Sequence, residues 1–516
     1  MNLLQRIKLI GSITNKWLIF YWCLVILLFG VGLVIRFYDL NDPPLDFQST
    51  RQMHSFLIAR GMYYQDLSSA TQWQRDLAVA QWHQEGLIEP PIMESITALT
   101  YNLFGEQMVI PRVYSILFWM LGALFLFSLV RDLAGPAGAV VSLAYFLMLP
   151  YGAIASRAFQ PDPLLTMLVV LSLWSMLCWD RHPTWKRAIG AGIFCGLTIF
   201  TKVVAAYLIG CAWLGLLIFG KSFKKSLRNP MVWVMGVLTI LPYAIFHIYG
   251  VYISGELVSQ FELRFFPQLW LDPVFYLRWN GLLSSVVGFE WFLISSAGIF
   301  LMQNRGARFM WLGIWIGYFA LGLTLSYHIS THDYYHEPLI PVVAVGLGVV
   351  AEKVYRNLQG KRVFYTFAVG LLLLFWVTLK AWDVRVTLKR MDYQYEVGFW
   401  TKLGNELGHS PNVVGLTHDN GYRLAYWGWM MPVDWMTQSD FAYRELAGNQ
   451  YDMHTLFCEK VTGKDFFVVT LFQDFDGQPE LKKMLVDNYP VFDQTQEYVI
   501  FDLRHPKNGA GVVCSP

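Results

Sequence analysis

The stretch 36–52 concentrates charged side chains where the first long apolar run ends. It contains Arg36, Asp39, Asp42, Asp46 and Arg51. Charges beside a membrane are costly unless they are used, so such a cluster indicates a functional site. The alternative interpretation is a solvated loop with ordinary interfacial anchors.

More polar residues lie at the ends of later apolar runs. If these ends face one compartment, their side chains can converge on one cavity. There, carboxylates accept a proton from a hydroxyl or amine, and cations hold a phosphate group. The candidates are the carboxylates Asp46 and Asp162, the cations Lys202, Arg51, Arg157 and Arg264, and the pocket residues Glu89, His332, Asp333 and Tyr335.

Each candidate also has a structural interpretation. Asp162 precedes Pro163 and is a normal helix N-cap, and Lys202 can extend to the membrane interface. Arg264 lies in an aromatic loop and can act as an anchor. His332 and His336 have a spacing that allows a divalent metal, but a polar turn is expected there and no metal is predicted.

The composition indicates a polytopic membrane protein. Of 516 residues, 55% are hydrophobic and only 15% are charged, whereas a soluble domain has about a quarter charged residues. The sequence contains no CxxC spacing and no glycine-rich phosphate loop. No nucleic-acid partner and no cofactor are expected, although a divalent metal is allowed.

The apolar runs predict about eleven transmembrane helices. The runs are 17–35, 109–130, 137–155, 163–179, 188–200, 203–219, 231–250, 284–302, 309–327, 338–354 and 363–382. With the N-terminus inside, the inner loops carry 17 Lys/Arg and 3 acids. The other segments up to residue 382 carry 10 Lys/Arg and 16 acids. This bias predicts that the long first loop, 36–108, and the tail, 383–516, lie outside.

The predicted domains are a transmembrane domain at 1–382 and a soluble extracytoplasmic domain at 383–516. Within the tail, 466–470 and 498–502 read as buried strands and 479–488 as a helix, which predicts a small α/β fold. In the first loop, a helix along the membrane interface is predicted from Met53, Phe56, Leu57 and Tyr64. Cys458 and Cys514 can pair in an oxidising compartment; two free thiols are the alternative.

The order of these motifs resembles the GT-C superfamily of polyprenyl-phosphate-sugar-dependent glycosyltransferases. The resemblance is to family 39 and its relatives, which include protein O-mannosyltransferases and the lipid A aminoarabinose transferase. The matching pieces are the first loop with Asp46 and Ile58-Ala-Arg60, Glu89-Pro-Pro91 with Leu103-Phe-Gly105, Arg157 with Pro161-Asp162, Thr201-Lys202, and His332-Asp-Tyr-Tyr335. They extend over about residues 17–350.

The resemblance implies that Asp46 is the general base or orients the acceptor, and that Asp162 supports the acceptor or a metal. It also implies that Lys202 and Arg51 hold the donor phosphate. Relatives often carry an adjacent Asp-Glu pair in the first loop, whereas here Phe47 follows Asp46. Asp39 and Asp42 therefore compete for the catalytic role.

The resulting hypothesis is a multi-pass glycosyltransferase of the plasma (inner) membrane with an extracytoplasmic active site. It would move a sugar from a polyprenyl-phosphate donor, among membrane lipids, to an acceptor that is a lipid, a protein or a glycan. The alternatives are a flippase of lipid-linked substrates or a secondary transporter, and an outer-face polymerase or ligase. Transporters favour two-fold repeats, and no repeat is visible here.

Overall fold

The computed structural model describes residues 3–86, 88–258, 264–358, 363–507, 512 and 514. Most of these residues are helical. The helices, with their bounds, are α1 (Leu3–Phe37), α2 (Ser49–Tyr64), α3 (Gln72–Glu85), α4 (Ile92–Phe104), α5 (Val109–Leu133), α6 (Pro136–Met148), α7 (Pro150–Ala155), α8 (Asp162–Arg181), α9 (Trp185–Thr201), α10 (Ala205–Leu214), α11 (Phe223–Leu227), α12 (Pro230–Ile248), α13 (Pro273–Val287), α14 (Phe289–Leu301), α15 (Arg305–Thr324), α16 (Ser326–Thr331), α17 (Leu339–Leu358), α18 (Val363–Leu388), α19 (Gln394–Glu406), α20 (Tyr422–Trp427), α21 (Gln438–Leu446), α22 (Met453–Val461), α23 (Phe472–Asp476) and α24 (Pro479–Asn488).

Several helices are long and apolar enough to cross a membrane. Among the described residues there are five, at Leu18–Phe37, Val109–Leu133, Asp162–Arg181, Pro230–Ile253 and Arg305–Thr324. The pair α13 and α14, bent by 84°, makes a sixth if it is counted as one span. The protein is therefore a multi-pass membrane protein, but the predicted count of about eleven spans is not confirmed. Several of the predicted apolar runs form helices too short for this criterion, such as α6 and α10.

The chain divides into two compact units. The first, here called the helical unit, contains Met1–Leu40, Leu87–Ile92 and Arg112–Met391. Its core is apolar and includes the fully buried Trp119, Trp179 and Trp311. Small residues allow close helix packing, as is common in membranes. A Cβ on Gly313 of α15 would lie 2.1 Å from the Cys211 carbonyl oxygen of α10, so only glycine fits there.

The second unit, here called the sheet unit, contains Asn41–Gly86, Met93–Pro111 and Asp392–Pro516. It therefore combines most of the predicted first loop with the tail, whereas the predicted domain boundary separates the two. Its strands are β1 (Val413–Leu416), β2 (Val433–Asp434), β3 (Phe466–Val469), β4 (Val491–Gln494) and β5 (Val499–Asp502).

The sheet has the strand order β2-β1-β3-β5-β4. Strands β2, β1 and β3 are parallel, while β5 is antiparallel to β3 and β4 is antiparallel to β5. Every residue of β1, β3 and β5 is buried, as expected for apolar strands covered on both faces. The strands predicted at 466–470 and 498–502 and the helix predicted at 479–488 are confirmed. Cys458 and Cys514 form a disulfide, so the paired alternative holds.

Helix α2 corrects one prediction about the first loop. The helix exists, but Met53, Phe56 and Leu57 are buried within the sheet unit, where α2 packs against α3 and α20. Arg60 of α2 makes further contacts within the sheet unit. Its Nε lies 2.8 Å from Glu106 Oε1, and its guanidinium lies 3.5 Å from the Tyr426 ring centroid. The apolar face of α2 therefore covers protein rather than a membrane interface.

Candidate active site

Lys202 is the centre of the strongest polar cluster in the helical unit. It follows the last residue of α9 and leaves the helix in an extended conformation. Only 4% of the residue is exposed. Its ammonium Nζ lies 2.8 Å from Asp162 Oδ1 and 3.8 Å from Glu89 Oε1. A buried ammonium requires such partners because desolvation of an unpaired charge is costly.

Asp162 is held by its position at the start of α8. It is the first residue of the helix, Pro163 follows it, and its side chain is fully buried. A carboxylate there is favoured by the positive end of the helix dipole. The N-cap interpretation is not supported, since Pro161 occupies that position and no side-chain cap bond is formed. Asp162 instead pairs with Lys202.

Glu337 adds a second buried carboxyl group that the sequence analysis did not select. It lies in the turn before α17 and is fully buried. Thr166 Oγ1 donates a hydrogen bond of 3.5 Å to Glu337 Oε1. Burial raises the pKa of Glu337 well above its usual range, and the nearby Asp162 charge raises it further, while Lys202 lowers it. Its place between His336 and Pro338 resembles an ordinary polar turn, so nothing in the local sequence indicates that Glu337 is buried.

Two aromatic rings contact the same ammonium. Lys202 Nζ lies 4.7 Å from the ring centroid of Tyr334 and 5.6 Å from that of Tyr335. Both tyrosines belong to the short helical turn Asp333–His336 and are buried. These cation–π contacts stabilise the charge without neutralising it.

A small cavity of about 40 Å³ lies beside this ion pair, and we call it the Lys202 cavity. It is lined by Ile88, Glu89, Pro90, Lys202, Val203, Val204, Tyr243, Leu257, Arg264 and Tyr335. Two cations, a carboxylate and apolar side chains therefore line the same cavity. The structure brings together five predicted residues around this point, namely Asp162, Lys202, Arg264, Glu89 and Tyr335.

Asp333 and His332 lie in the turn next to these residues. Asp333 interacts electrostatically with Glu337, while the His332 ring stacks on His328 at a centroid distance of 5.5 Å. Burial, followed by the charges of His332 and Arg264, lowers the pKa of His328 to about 3. The turn thus adds a carboxylate near Glu337, and His328 of α16 is uncharged near neutral pH.

His336 has both ring nitrogens bound within the protein. Nδ1 lies 2.8 Å from the Tyr318 hydroxyl, and Nε2 lies 3.0 Å from the Ile329 carbonyl oxygen. This agrees with a structural turn. In the described part of the chain, no group of three or more His, Cys, Asp or Glu residues is arranged to hold a metal ion. Metal-independent catalysis stays a prediction.

Arg157 takes a different position from the one predicted. Its Nη1 donates to the Tyr38 carbonyl oxygen at 2.7 Å, and its Nη2 donates to the Asp39 carbonyl oxygen at 2.9 Å. Arg112 donates to the Leu40 carbonyl oxygen at 2.7 Å. These buried guanidinium groups fix the backbone where α1 ends, and Arg157 does not line the Lys202 cavity.

The three competing aspartates of the first loop have distinct environments. Asp39, in the helical unit, forms an ion pair with Lys389 at 2.8 Å. Asp42, in the sheet unit, is buried and accepts a hydrogen bond from the Tyr393 backbone N–H at 3.0 Å. Asp46 is exposed. Its carboxylate is therefore the most accessible of the three.

Arg51 lies in α2 of the sheet unit and is half-buried. Its charge acts on His54, whose pKa is lowered to about 4, mainly by burial. Asp46 and Arg51 thus belong to one compact unit and the Lys202 cavity to the other.

The apolar helices define the class of protein: a multi-pass membrane protein. Residues 88–249 match the family model described as dolichyl-phosphate-mannose-protein mannosyltransferase. This match covers Glu89, Asp162 and Lys202. No curated protein gives a sequence match.

Solved structures with the same fold agree with this class. One is ArnT from Cupriavidus metallidurans bound to undecaprenyl phosphate, with a TM-score of 0.58 and 15% identity over 93% of this chain and 98% of that chain. Another is the archaeal oligosaccharyltransferase AglB from Archaeoglobus fulgidus in complex with an inhibitory peptide and a dolichol-phosphate. Its TM-score is 0.54, with 13% identity over 96% of this chain and 77% of that chain. A third is the arabinofuranosyltransferase AftD from Mycobacteria, with a TM-score of 0.51 and 14% identity over 92% of this chain and 41% of that chain. These matches show that the chain has the fold of the GT-C glycosyltransferases.

Proposed function

We propose that this protein is a glycosyltransferase that moves a sugar from a polyprenyl-phosphate donor to an acceptor. The observation that carries the proposal is the buried Lys202 ammonium, held by Asp162 and Glu89 in a cavity that Arg264 also lines. Two cations beside apolar side chains suit a phosphate attached to a lipid. ArnT, a protein of the same fold, is described bound to undecaprenyl phosphate.

The proposed reaction is one displacement with inversion. An acceptor oxygen or nitrogen attacks the anomeric carbon and forms the new glycosidic bond. The bond from that carbon to the phosphate oxygen breaks, and its electron pair leaves with polyprenyl phosphate. Lys202 and Arg264 stabilise the charge that develops on this oxygen, a role of preorganised cations in a site of low dielectric constant.

Lys202 is fixed before the donor arrives. Its ammonium is already desolvated and oriented by Asp162 and Glu89, so little reorganisation remains for the reaction. Tyr335 lines the cavity and contacts the Lys202 ammonium, so it is our candidate for a side chain that moves when the donor binds.

Asp46 is the proposed proton acceptor, or the residue that orients the acceptor. Its exposure supports this choice over Asp39 and Asp42, whose carboxylates are occupied by Lys389 and by the Tyr393 backbone. General-base catalysis contributes about 10²–10⁴ to a rate. Placement of the site and of the sheet unit on the extracytoplasmic face of the plasma membrane is part of the proposal. The Cys458–Cys514 disulfide supports an oxidising compartment for that unit.

The test is a transfer assay on the full chain in detergent or nanodiscs. A panel of radiolabelled polyprenyl-phosphate sugars is offered with lipid, peptide and glycan acceptors, and release of free polyprenyl phosphate is measured. We expect release with at least one donor, and loss of release in Asp46→Asn. Asp66→Asn, which changes an exposed aspartate of the same loop, is the matched control and should keep full activity.

Two results would contradict the proposal. Full activity of folded Asp46→Asn would remove Asp46 from the mechanism while leaving the enzyme class intact. Absence of release from every donor, with a thermal unfolding transition that shows a folded protein, would contradict the donor class and favour transport of a lipid-linked substrate.

A further inference from the structure

A second polar recess lies wholly within the sheet unit, and we call it the Glu85 cleft. It has a volume of about 280 Å³ and is lined by residues of α3, of the segment 420–425 and of the segment 430–434. Nothing in the proposed transfer reaction uses it. Its polar lining includes Gln81, Gln84, Glu85, Asn420, Tyr422 and Asp434.

Gln81 gives the cleft an unused buried acceptor. Only 2% of the residue is exposed. Its Nε2 donates to the carbonyl oxygens of Ala425 and Met430 at 2.8 and 2.7 Å, which fixes the amide so that Oε1 is the remaining atom. Among the described residues, Oε1 has no hydrogen-bond partner. A buried acceptor without a partner is destabilising, and it favours a ligand that donates.

Glu85 lies one helical turn after Gln81, so the two side chains project from the same face of α3. The Tyr422 hydroxyl donates to Glu85 Oε2 at 2.7 Å, and His54 Nε2 lies 3.4 Å from the same oxygen. Burial lowers the pKa of His54 to about 4, so this histidine brings no charge near neutral pH. Glu85 therefore accepts one hydrogen bond, from Tyr422, and has no charged partner among these contacts.

Asp434 adds a second carboxyl group to the lining of the cleft. It lies in the edge strand β2, where Asp434 pairs with Gly415 of β1, so its backbone position is fixed. Lys460 donates to the Asp434 backbone carbonyl oxygen. Burial raises the pKa of Glu85 and that of Asp434, each to about 7. The Asp440 charge also raises the pKa of Asp434, whereas the Lys460 charge lowers it. Both carboxyl groups would ionise more readily beside a bound cation.

The lining has one sign of charge. None of the residues that the structure places in the lining is a lysine or an arginine. Phosphates and carboxylates are therefore disfavoured, whereas a group with several N–H donors and a positive charge satisfies the Gln81 Oε1 acceptor and both carboxylates. The side-chain amides of Gln84 and Asn420 are available at the same cleft for hydroxyl groups.

We propose that the Glu85 cleft binds the protonated primary amine of a small amino alcohol, between Gln81, Glu85 and Asp434. An amino sugar and a lipid headgroup of the ethanolamine type both present this chemistry. The proposal does not depend on the transfer reaction, since binding is measured without a donor.

The experiment measures binding to the full chain in nanodiscs by saturation-transfer NMR and calorimetry at pH 7.5. Ethanolamine is the probe, choline is the control with the same charge but no N–H donor, and ethylene glycol is the uncharged control. We expect ethanolamine to bind at least tenfold more tightly than either control. Glucosamine, compared with glucose, tests the amino-sugar source in the same way, and preference for either amine supports the proposal.

Variants place the binding in the cleft. Glu85→Gln and Asp434→Asn each remove one charge with little change of shape, and each should weaken ethanolamine binding at least tenfold. Asp76→Asn, on an exposed position of α3, is the matched control and should bind like the wild type. The proposal is overturned if ethanolamine does not bind at high millimolar concentration, if choline binds equally well, or if both cleft variants bind unchanged.

Discussion

The Lys202 cavity and the Glu85 cleft bury charged groups of opposite sign. In the first, the protein supplies the cation, and Asp162 and Glu89 hold it in place. In the second, two carboxyl groups face a recess whose lining contains no lysine or arginine. The difference matches the sign of each proposed ligand: an anionic leaving group near Lys202, and a protonated amine near Glu85.

The largest effect is expected from Lys202→Met, which removes the cation and keeps the length of the side chain. Loss of one preorganised electrostatic contact reduces kcat by about 10²–10³-fold. The measurement is polyprenyl phosphate release at saturating donor. Lys221→Met is the matched control, because Lys221 also forms an ion pair, with Asp180 at 3.0 Å, and does not line the cavity. More than half of the wild-type rate in Lys202→Met would contradict the role of this cation.

Asp162→Asn should mainly reduce stability. The substitution leaves a buried ammonium with only the more distant Glu89, and breaking a buried ion pair costs about 3 kcal/mol or more. Thermal unfolding in detergent should show the lower Tm. Asp180→Asn, near the other end of α8, removes the partner of Lys221, whose side chain is far less buried than that of Lys202. An equal loss of Tm in the two variants would argue against a special burial of the Asp162–Lys202 pair.

Reduction of the Cys458–Cys514 disulfide should weaken the sheet unit alone. The bond joins residues 56 positions apart, and native disulfides contribute about 2–4 kcal/mol. Hydrogen exchange should rise in β3 and α24 after replacement of both cysteines by serine. Exchange in α8 and α9, which position the Lys202 cavity, should stay as in the wild type. Increased exchange throughout both units would contradict this separation.

The smallest effect is a pH dependence of stability at the Glu85 cleft. The pKa of Glu85 is about 7 when folded, above its ordinary value of 4.5, so the folded state binds more protons between these values. Stability therefore falls as pH rises from about 5 to 7 and stays lower above that. Glu85→Gln should gain about 1–2 kcal/mol relative to wild type between pH 5 and 8. If the difference in Tm between Glu85→Gln and the wild type does not change with pH, Glu85 does not lie in a buried environment without a cationic partner.

The sequence predicted the parts of the site that depend on short patterns. Asp162 before Pro163 and Lys202 after an apolar run are visible because each interrupts a hydrophobic stretch, and the structure brings them to 2.8 Å. The strand at Phe466–Val469 is visible because four apolar residues stand among polar ones. A local sequence pattern is sufficient to predict an element where consecutive residues of the chain are buried together.

What could not be predicted depends on contacts between distant segments. Gln81 and Asp434 line one cleft although 353 positions separate their numbers, and no periodicity records that pairing. The apolar face of α2 was assigned to a membrane surface because the sequence does not show that Tyr426 and its neighbours cover it. Glu337 was overlooked because a buried carboxylate and a solvated one look the same in a turn. The roles of all the predicted site residues, including Asp162 and Lys202, stay predictions.

The assembly of the sheet unit from three stretches of chain has a consequence for engineering and for evolution. A gene fragment that encodes only 383–516 would supply Tyr426 without Arg60, and Asp434 without Gln81 and Glu85. The tail is therefore not an exchangeable module. A chimera between two such proteins must exchange 41–86 and 93–111 together with 392–516. Among homologous proteins, we expect substitutions in the first loop to be accompanied by compensating substitutions in the tail.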